Sequence, residues 1–464
     1  MLLLRAIKPR RLGGPMKYFY KVFTLIFLAS LGLQASSLKN FVSIAQKMKA
    51  YPYYQNSELA PKTVKIGIFG LYNTKAILPE IGKTLPYRTF IHPYPIKNSL
   101  FFDDHQLRMA QLITLLMTNK GRNSELAPEI HFFYSEGLTN FENAIQQAIH
   151  ENIDIILNAQ VMEWGGNGDG RGYINDLVNK AIQAGILWVN AAGNFRLHMH
   201  TRFYRKGSQD HLVHLPDQND SLRITCKRHP LNKDQLCPLR VVLSWNDFPQ
   251  NPRKSGTNKD LALEILDSSF KRMAYKDFIQ VKHKPKKKDP QKCKNHPFPC
   301  YSVLPREYFV GKVPVGTYFI RVFDNSHNFQ SQDKIRITVS GYGIYLENQP
   351  SVFNSILPPA DNPHVLTIGA SSDARSSVNA KLFKPELVFP STVIWKNQDE
   401  RDAIYKGSSN ASAFVTAGIG LMMSFQPAIK TKEEVLSLVV PSHKKAFLVP
   451  FSLPPVQKLL TLYQ

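Results

Sequence analysis

Between residues 61 and 200, short apolar runs alternate with amphipathic stretches, and this alternation limits the fold more than any other feature of the 464-residue chain. The runs at 64–69, 130–134, 153–157 and 186–190 are rich in Ile, Val, Leu and Phe and carry little charge. Such runs suit strands buried on both faces. Helical spacing of apolar residues starts at His105 and recurs at 141–149 and 173–182. Strands alternating with helices imply a parallel sheet covered by helices.

From about 210 to 345 the helical period disappears. Runs at 241–245, 261–266, 318–322 and 335–339 read as short strands separated by Gly, Pro and Asn turns, a pattern expected of an antiparallel β-sandwich. The parallel-sheet pattern returns near 350, so the β-rich block is an insertion whose ends lie close together. The expected fold class is α/β, in the order 36–60 N-terminal segment, 61–207 first part, 208–345 inserted sandwich, 346–428 second part and 429–464 tail. A composition of 43% hydrophobic and 11% aromatic residues can fill more than one core, which excludes a mainly disordered chain.

Three segments carry chemistry. Gly407-Ser408-Ser409-Asn410-Ala411 runs into Ser412-Ala413-Phe414-Val415-Thr416-Ala417-Gly418, placing a serine at the start of a helix that packs closely through small residues. Asn194 closes Val189-Asn190-Ala191-Ala192-Gly193-Asn194 after a strand-like run, where its amide can aim at a reacting oxygen. Far upstream, His105 opens His105-Gln106-Leu107-Arg108-Met109-Ala110-Gln111-Leu112-Ile113. A hydroxyl, an imidazole and an amide donor together outline an acyl-transfer site. Each residue also has a bland reading: Ser as a helix cap, Asn as a turn residue, His as a surface group.

In that order and at those long spacings, the three segments resemble the subtilisin-like serine peptidases. Those enzymes carry their serine in Gly-Thr-Ser-x-Ala, their oxyanion Asn at the end of an Ala-Ala-Gly-Asn-type turn, and their histidine in His-Gly-Thr-x-Val-Ala-x-Ile-Ile. The stretches 165–170, 363–370 and 384–388 fall where the family has similar runs. The resemblance implies a parallel-sheet subtilisin-like domain and a serine endopeptidase acting on polypeptides. Ser409 would be the nucleophile, His105 the proton carrier, and Asn194 with the Ser409 N–H the oxyanion hole. The block holding Trp245-Asn246-Asp247-Phe248-Pro249 resembles jelly-roll-like modules inserted in some bacterial subtilases.

Departures from the family pattern are specific. Gly70, ending 65–70, stands where the resemblance places the catalytic acid, and Gln106 and Leu107 replace the Gly-Thr after the histidine. Loss of that acid costs serine proteases about 10⁴-fold in turnover, with residual catalysis remaining. Asp103 and Asp104 are expected to be a helix cap or solvated charges rather than the acid. Met162, in the substrate-pairing segment 160–162, is expected to narrow the cleft. The leading expectation is a slow endopeptidase; the alternative is an inactive member that binds peptides or surfaces.

The remaining sequence adds context. A basic lead-in, an apolar run over 22–33 and small residues ending at Ala35 read as a signal peptide over 1–35, hence a secreted or periplasmic protein, with a retained anchor as the alternative and Met16 as a second possible start. Cys226, Cys237, Cys293 and Cys300 suit disulfides in an exported protein. Pairing the first two and the last two closes the shortest loops, but four cysteines allow three connectivities. No cofactor is expected beyond a structural calcium to which Asp247, Asp260 and Asp267 could contribute, although strand-end Asp residues are commonly turn formers. The net charge is +23, with Lys282, Lys284, Lys286, Lys287, Lys288, Lys292 and Lys294 in one segment. That segment could meet an anionic surface; no nucleic acid is expected, because no aromatic interleaving accompanies the lysines.

Overall fold

The structure, a computed structural model, describes residues 40–56, 60–92, 104–121, 124–209, 211–229, 235–283, 301–348, 350–396, 402–456 and 459. The proposed signal peptide, Asp103, Cys293, Cys300 and the lysines from 284 to 294 lie outside these residues.

Eight strands form one sheet: β1 (Lys65–Gly70), β2 (Thr89–His92), β3 (Glu129–Tyr134), β4 (Ile155–Asn158), β5 (Leu187–Ala191), β17 (Leu366–Ala370), β18 (Leu387–Phe389) and β21 (Val449–Pro450). Their spatial order is β2-β3-β1-β4-β5-β17-β18-β21, and every pairing is parallel. A parallel sheet needs helices on both faces. On one face, α5 (Leu138–His150) buries Phe141, Ala144, Ile145 and Ala148, and α6 (Tyr173–Gln183) buries Ile174, Leu177, Val178 and Ala181. This is the i, i+3, i+4, i+7 stripe of an amphipathic helix.

The other face carries α4 (His105–Met117) and α7 (Ser408–Phe425), together with α1 (Phe41–Met48) and α2 (Tyr51–Tyr54) from the N-terminal segment. Helix α7 is the centre of this layer: 17 of its 18 residues are buried, and Ser409 is the exception. A Cβ on Gly420 would meet Met117 Sδ at 2.8 Å, so the glycine lets α4 pack close against α7. The short helices α3 (Thr74–Ile77) and α8 (Lys432–Val439) lie at the surface, the latter begun by a Thr431/Glu434 capping box. No helix among the described residues is long and apolar enough to cross a membrane.

The block between β5 and β17 folds as two antiparallel sheets. The first, in the order β10-β9-β14-β7-β16, comprises β7 (Leu222–Cys226), β9 (Leu261–Leu266), β10 (Arg272–Lys276), β14 (Gly316–Asp324) and β16 (Ile344–Leu346). The second, in the order β13-β8-β15-β6, comprises β6 (Met199–Phe203), β8 (Leu236–Trp245), β13 (Arg306–Pro314) and β15 (Lys334–Ser340). Side chains of both sheets share one core that includes Ile224, Val241, Trp245, Ile320 and Ile337. Two-residue strands β11 (Ile279–Gln280) and β12 (Tyr301–Ser302) pair nearby, and β19 (Val393–Lys396) pairs with β20 (Asp402–Tyr405) ahead of α7. β6 joins this block although it precedes residue 208, and Cys226 is bonded to Cys237.

Asp267 behaves as a turn former, accepting from Ser269 N and Lys271 N at 2.9 and 3.0 Å. Among the described residues no group of His, Cys, Asp and Glu is arranged to hold a metal ion.

At the β2 edge, His92 Nε2 lies 2.9 Å from His131 Nδ1, and His131 Nε2 lies 2.9 Å from Glu129 Oε1, which also pairs with Lys65. Burial, then the neighbouring His131, pushes the His92 pKa below its ordinary 6.5, partly offset by Glu151. The unfolded chain therefore binds more protons once the pH falls through 6.5. Stability should be full above that pH and drop on acidification toward the lower folded pKa. Melting curves between pH 7.5 and 5.5 check this: the decline in melting temperature should be shallower in His92→Gln, and an equal slope would refute the assignment.

Candidate active site

The C-terminal ends of β1, β4 and β5 and the start of α7 converge at one place, the edge where open parallel sheets expose their loops. The turn after β5 sets Asn194 against α7. Asn194 Oδ1 accepts from Ser408 N at 3.0 Å and from the Ser408 hydroxyl at 3.3 Å, while Ser408 Oγ accepts from Gly193 N at 3.0 Å. With its carbonyl oxygen tied to the helix start, Asn194 keeps its NH₂ group as the donor end of the amide, without an acceptor among the described residues. Gly407 ends the approach to α7 at φ +151°, and a Cβ there would come within 3.0 Å of Asn194 Nδ2. Only a glycine leaves that amide its room.

Ser408 is fully engaged in fastening this turn. Ser409 is not: its hydroxyl donates to Ala159 O at 3.2 Å, and it sits in the first turn of α7, where backbone N–H groups have no intrahelical acceptor. Gly407 occupies the cap position, and no side chain caps the helix, so neither serine plays that bland role. The backbone at 159–160 is braced from behind. Gln160 O accepts from Asn158 Nδ2 at 3.2 Å and Asn190 Nδ2 at 3.1 Å, and the Asn190 amide is itself held by Trp188 Nε1 at 3.1 Å.

The position of the expected acid is filled by another residue. Gly70 has φ +152°, and a Cβ built on it would lie 1.9 Å from Gln106 Nε2. Gln106 is fully buried, donates a long 3.4 Å hydrogen bond to Phe69 O, and leaves Oε1 without a partner among the described residues. A neutral amide thus takes the space beside the end of β1. His105 is the first residue of α4, half-buried, and is not among the described residues lining the cavity that holds Asn194 and Ser409. Asp104 occupies the cap position of α4 but makes no side-chain capping bond and is exposed, so of the two expected roles it is the solvated charge; its backbone oxygen accepts from Arg108 N.

The cavity measures about 930 Å³ and lies between the two units. Ala159, Met162, Asn194 and Ser409 face it from the α/β side, and Arg240, Val310 and Tyr342 from the antiparallel sheets. Met162 lines the cavity without closing it, and the volume is at the upper end of the range for ligand clefts. Glu163 holds the two units in register: it pairs with Arg240 at 2.7 Å, accepts from the Thr338 hydroxyl at 2.7 Å, and its backbone oxygen accepts from Ser244 Oγ at 3.2 Å. No sequence motif announced Gln106, Ser408 or Glu163. Only the bulk of Gln106 against an expected glycine hinted that its place had changed.

No family model matches the sequence, and no curated protein matches it. Similar solved structures include the CspB protease of Clostridium perfringens, at 12% identity over 91% of this chain and 100% of that chain, with a TM-score of 0.46. A lanthipeptide protease is similar at 10% identity over 92% and 95%, TM-score 0.43. The nisin leader peptidase NisP from Lactococcus lactis is similar at 13% over 91% and 93%, TM-score 0.37. Likenesses this distant leave the chemistry to be read from this chain's own residues.

Proposed function

We infer that the chain is a serine-type peptidase of the subtilisin-like kind with slow turnover. The observation that carries this reading is Ser409: the sole partly exposed residue of a buried helix, it opens into the same cavity as Asn194. In the proposed reaction the Ser409 oxygen attacks a peptide carbonyl carbon as its proton passes to His105. The new oxyanion is met by the Asn194 amide and the Ser409 N–H. Collapse breaks the C–N bond, His105 gives its proton to the leaving amine, and water then cleaves the acyl-enzyme. Beside Gly70, where the family resemblance places a carboxylate, stands the neutral Gln106 amide, and this is the ground for proposing slow turnover. Export remains part of this proposal, supported by the 1–35 segment and by a disulfide suited to an oxidising compartment.

A second reading, a non-catalytic polypeptide-binding protein, is favoured by the Gly70–Gln106 arrangement. Labelling with a fluorophosphonate probe separates the two. The peptidase reading expects labelling of the parent protein, none in Ser409→Ala and strong loss in His105→Ala. Absence of labelling in folded parent protein would favour the second reading.

A further inference from the structure

The antiparallel block could be a passive insertion, but its outer sheet face divides into two parts. The rows holding Ser244, Thr338 and Arg336 are spent on docking: Ser244 and Thr338 bond Glu163, and Arg336 donates to Gly166 O at 2.7 Å. One row further along, Arg240 stands between Val310 and Ser340 in register, and from there the face opens onto the cavity. The sheet is therefore clamped at the edge of the cleft.

Beyond that edge the wall is apolar and held in place. Val310 is 60% exposed, Tyr342 59% and Tyr345 46%, high values for side chains of this kind. Tyr342 is raised by a turn that two glycines permit. Gly341 and Gly343 have φ +144° and +81°, and a Cβ on them would strike Pro238 O at 1.7 Å and Lys227 O at 2.3 Å. The His229 ring stacks on Tyr342 at 5.6 Å, and the Cys226–Cys237 bridge sits beneath the turn, with Cys237 Sγ 3.2 Å from a Cβ on Gly343. A large side chain fixed in an exposed position has lost its rotamer freedom before anything binds.

Both arginines of the lining are paired, and Glu136 adds a further carboxylate to it. Arg240 pairs with Glu163 and Arg375 with Asp373, each at 2.7 Å. Burial, then the adjacent Arg375, pushes His198 toward its neutral form. An anionic ligand gains little from arginines that are already paired, whereas an apolar side chain gains from Val310 and the two tyrosine rings.

We propose that Val310, Tyr342 and Tyr345 form the recognition wall for an extended polypeptide, accepting a large apolar or aromatic side chain while its backbone passes Ser409. The location rests on the peptidase reading, because Ser409 and the wall share one cavity; binding itself does not require turnover.

The test uses the full chain carrying Ser409→Ala, with fluorescein-labelled reduced casein as the probe and anisotropy as the readout. Val310→Asp, Tyr342→Ser and Tyr345→Ser should each weaken binding by about tenfold or more, as expected of contact residues at the centre of an interface. Val315→Asp, an exposed apolar residue of the same block that does not line the cavity, should leave binding unchanged. Matching melting temperatures confirm folding, and three independent surface sites guard against one failing. Equal affinity in all variants, or no casein binding by the Ser409→Ala protein, overturns the proposal. Fluorophosphonate labelling of the parent keeps the two readings apart: labelling without wall-dependent binding defeats the wall alone, and wall-dependent binding without labelling defeats the peptidase alone.

Discussion

Replacing Gly70 by Asp and Gln106 by Gly in one protein should raise its acyl-transfer rate by about 10²- to 10⁴-fold, the upper figure being what loss of the acid costs a serine protease. Gly70→Asp alone should give no gain and should destabilise the fold. The contrast follows from one contact: a side chain at residue 70 begins 1.9 Å from Gln106 Nε2, 2.5 Å from its Cδ and 3.0 Å from its Cγ. The Gln106 side chain is fully buried and has nowhere to retreat. Residue 70 must also hold φ +152°, which a residue with a Cβ rarely adopts, so part of the cost, of order 1–3 kcal/mol, remains in the double variant. That residual strain sets the lower bound of the expected gain. Rates of fluorophosphonate labelling decide the matter. A double variant no faster than the parent, in folded form, would mean that the missing acid does not limit this site. A Gly70→Asp protein as fast as the double variant would mean that Gln106 yields easily.

The same pair marks the boundary of what the sequence makes legible. Gly70, where the family resemblance places the acid, could be read directly, and it is the basis for proposing that the acid is missing. That Gln106, 36 positions later, fills the space beside Gly70 could not be read, because it depends on how α4 lies across the end of β1. The parallel strands were legible for a local reason: burial on both faces gives uninterrupted apolar runs such as 186–189, and the structure places β5 there. The helices at 138–150 and 173–183 follow equally from their stripes.

Contacts between distant segments were not legible. Glu163 meets Arg240 and Thr338 across 77 and 175 positions, with nothing local to signal it. Three further elements were too short or too mixed to declare their place. β21, in the tail, adds the eighth strand through only Val449 and Pro450. β6, five residues long, pairs with β15 rather than with the parallel sheet it follows. Helix α1, ahead of every motif, buries Phe41, Ile44, Ala45 and Met48 in the main core.

Glu386→Ala should lower the stability of the chain by about 3–5 kcal/mol, the range for removing one partner of a buried ion pair. Side chains of Lys384 and Glu386 are 2% and 5% exposed and meet at 2.7 Å. Burial pushes Lys384 below the ordinary lysine range and Glu386 pulls it back, so without the carboxylate the amine must either stay charged in a dry site or give up its proton. Glu386 also accepts from Thr367 N at 3.0 Å and from Lys432 Nζ at 2.5 Å, so its removal frees a strand and a second cation. The loss should be felt at the proposed site. β18 leads into Ser391, whose oxygens receive Gly407 N at 3.3 Å and Asn410 Nδ2 at 2.9 Å and so hold the start of α7. Removing both charges at once, as Lys384→Met with Glu386→Leu, should cost less than Glu386→Ala, because the buried Lys384 amine is no longer left unpaired and only Lys432 loses its carboxylate. Urea denaturation of the three proteins gives the ranking. A Glu386→Ala midpoint close to the parent's, or a double variant weaker than the single, would show that the pair is not what holds β17 and β18 together beneath Ser409.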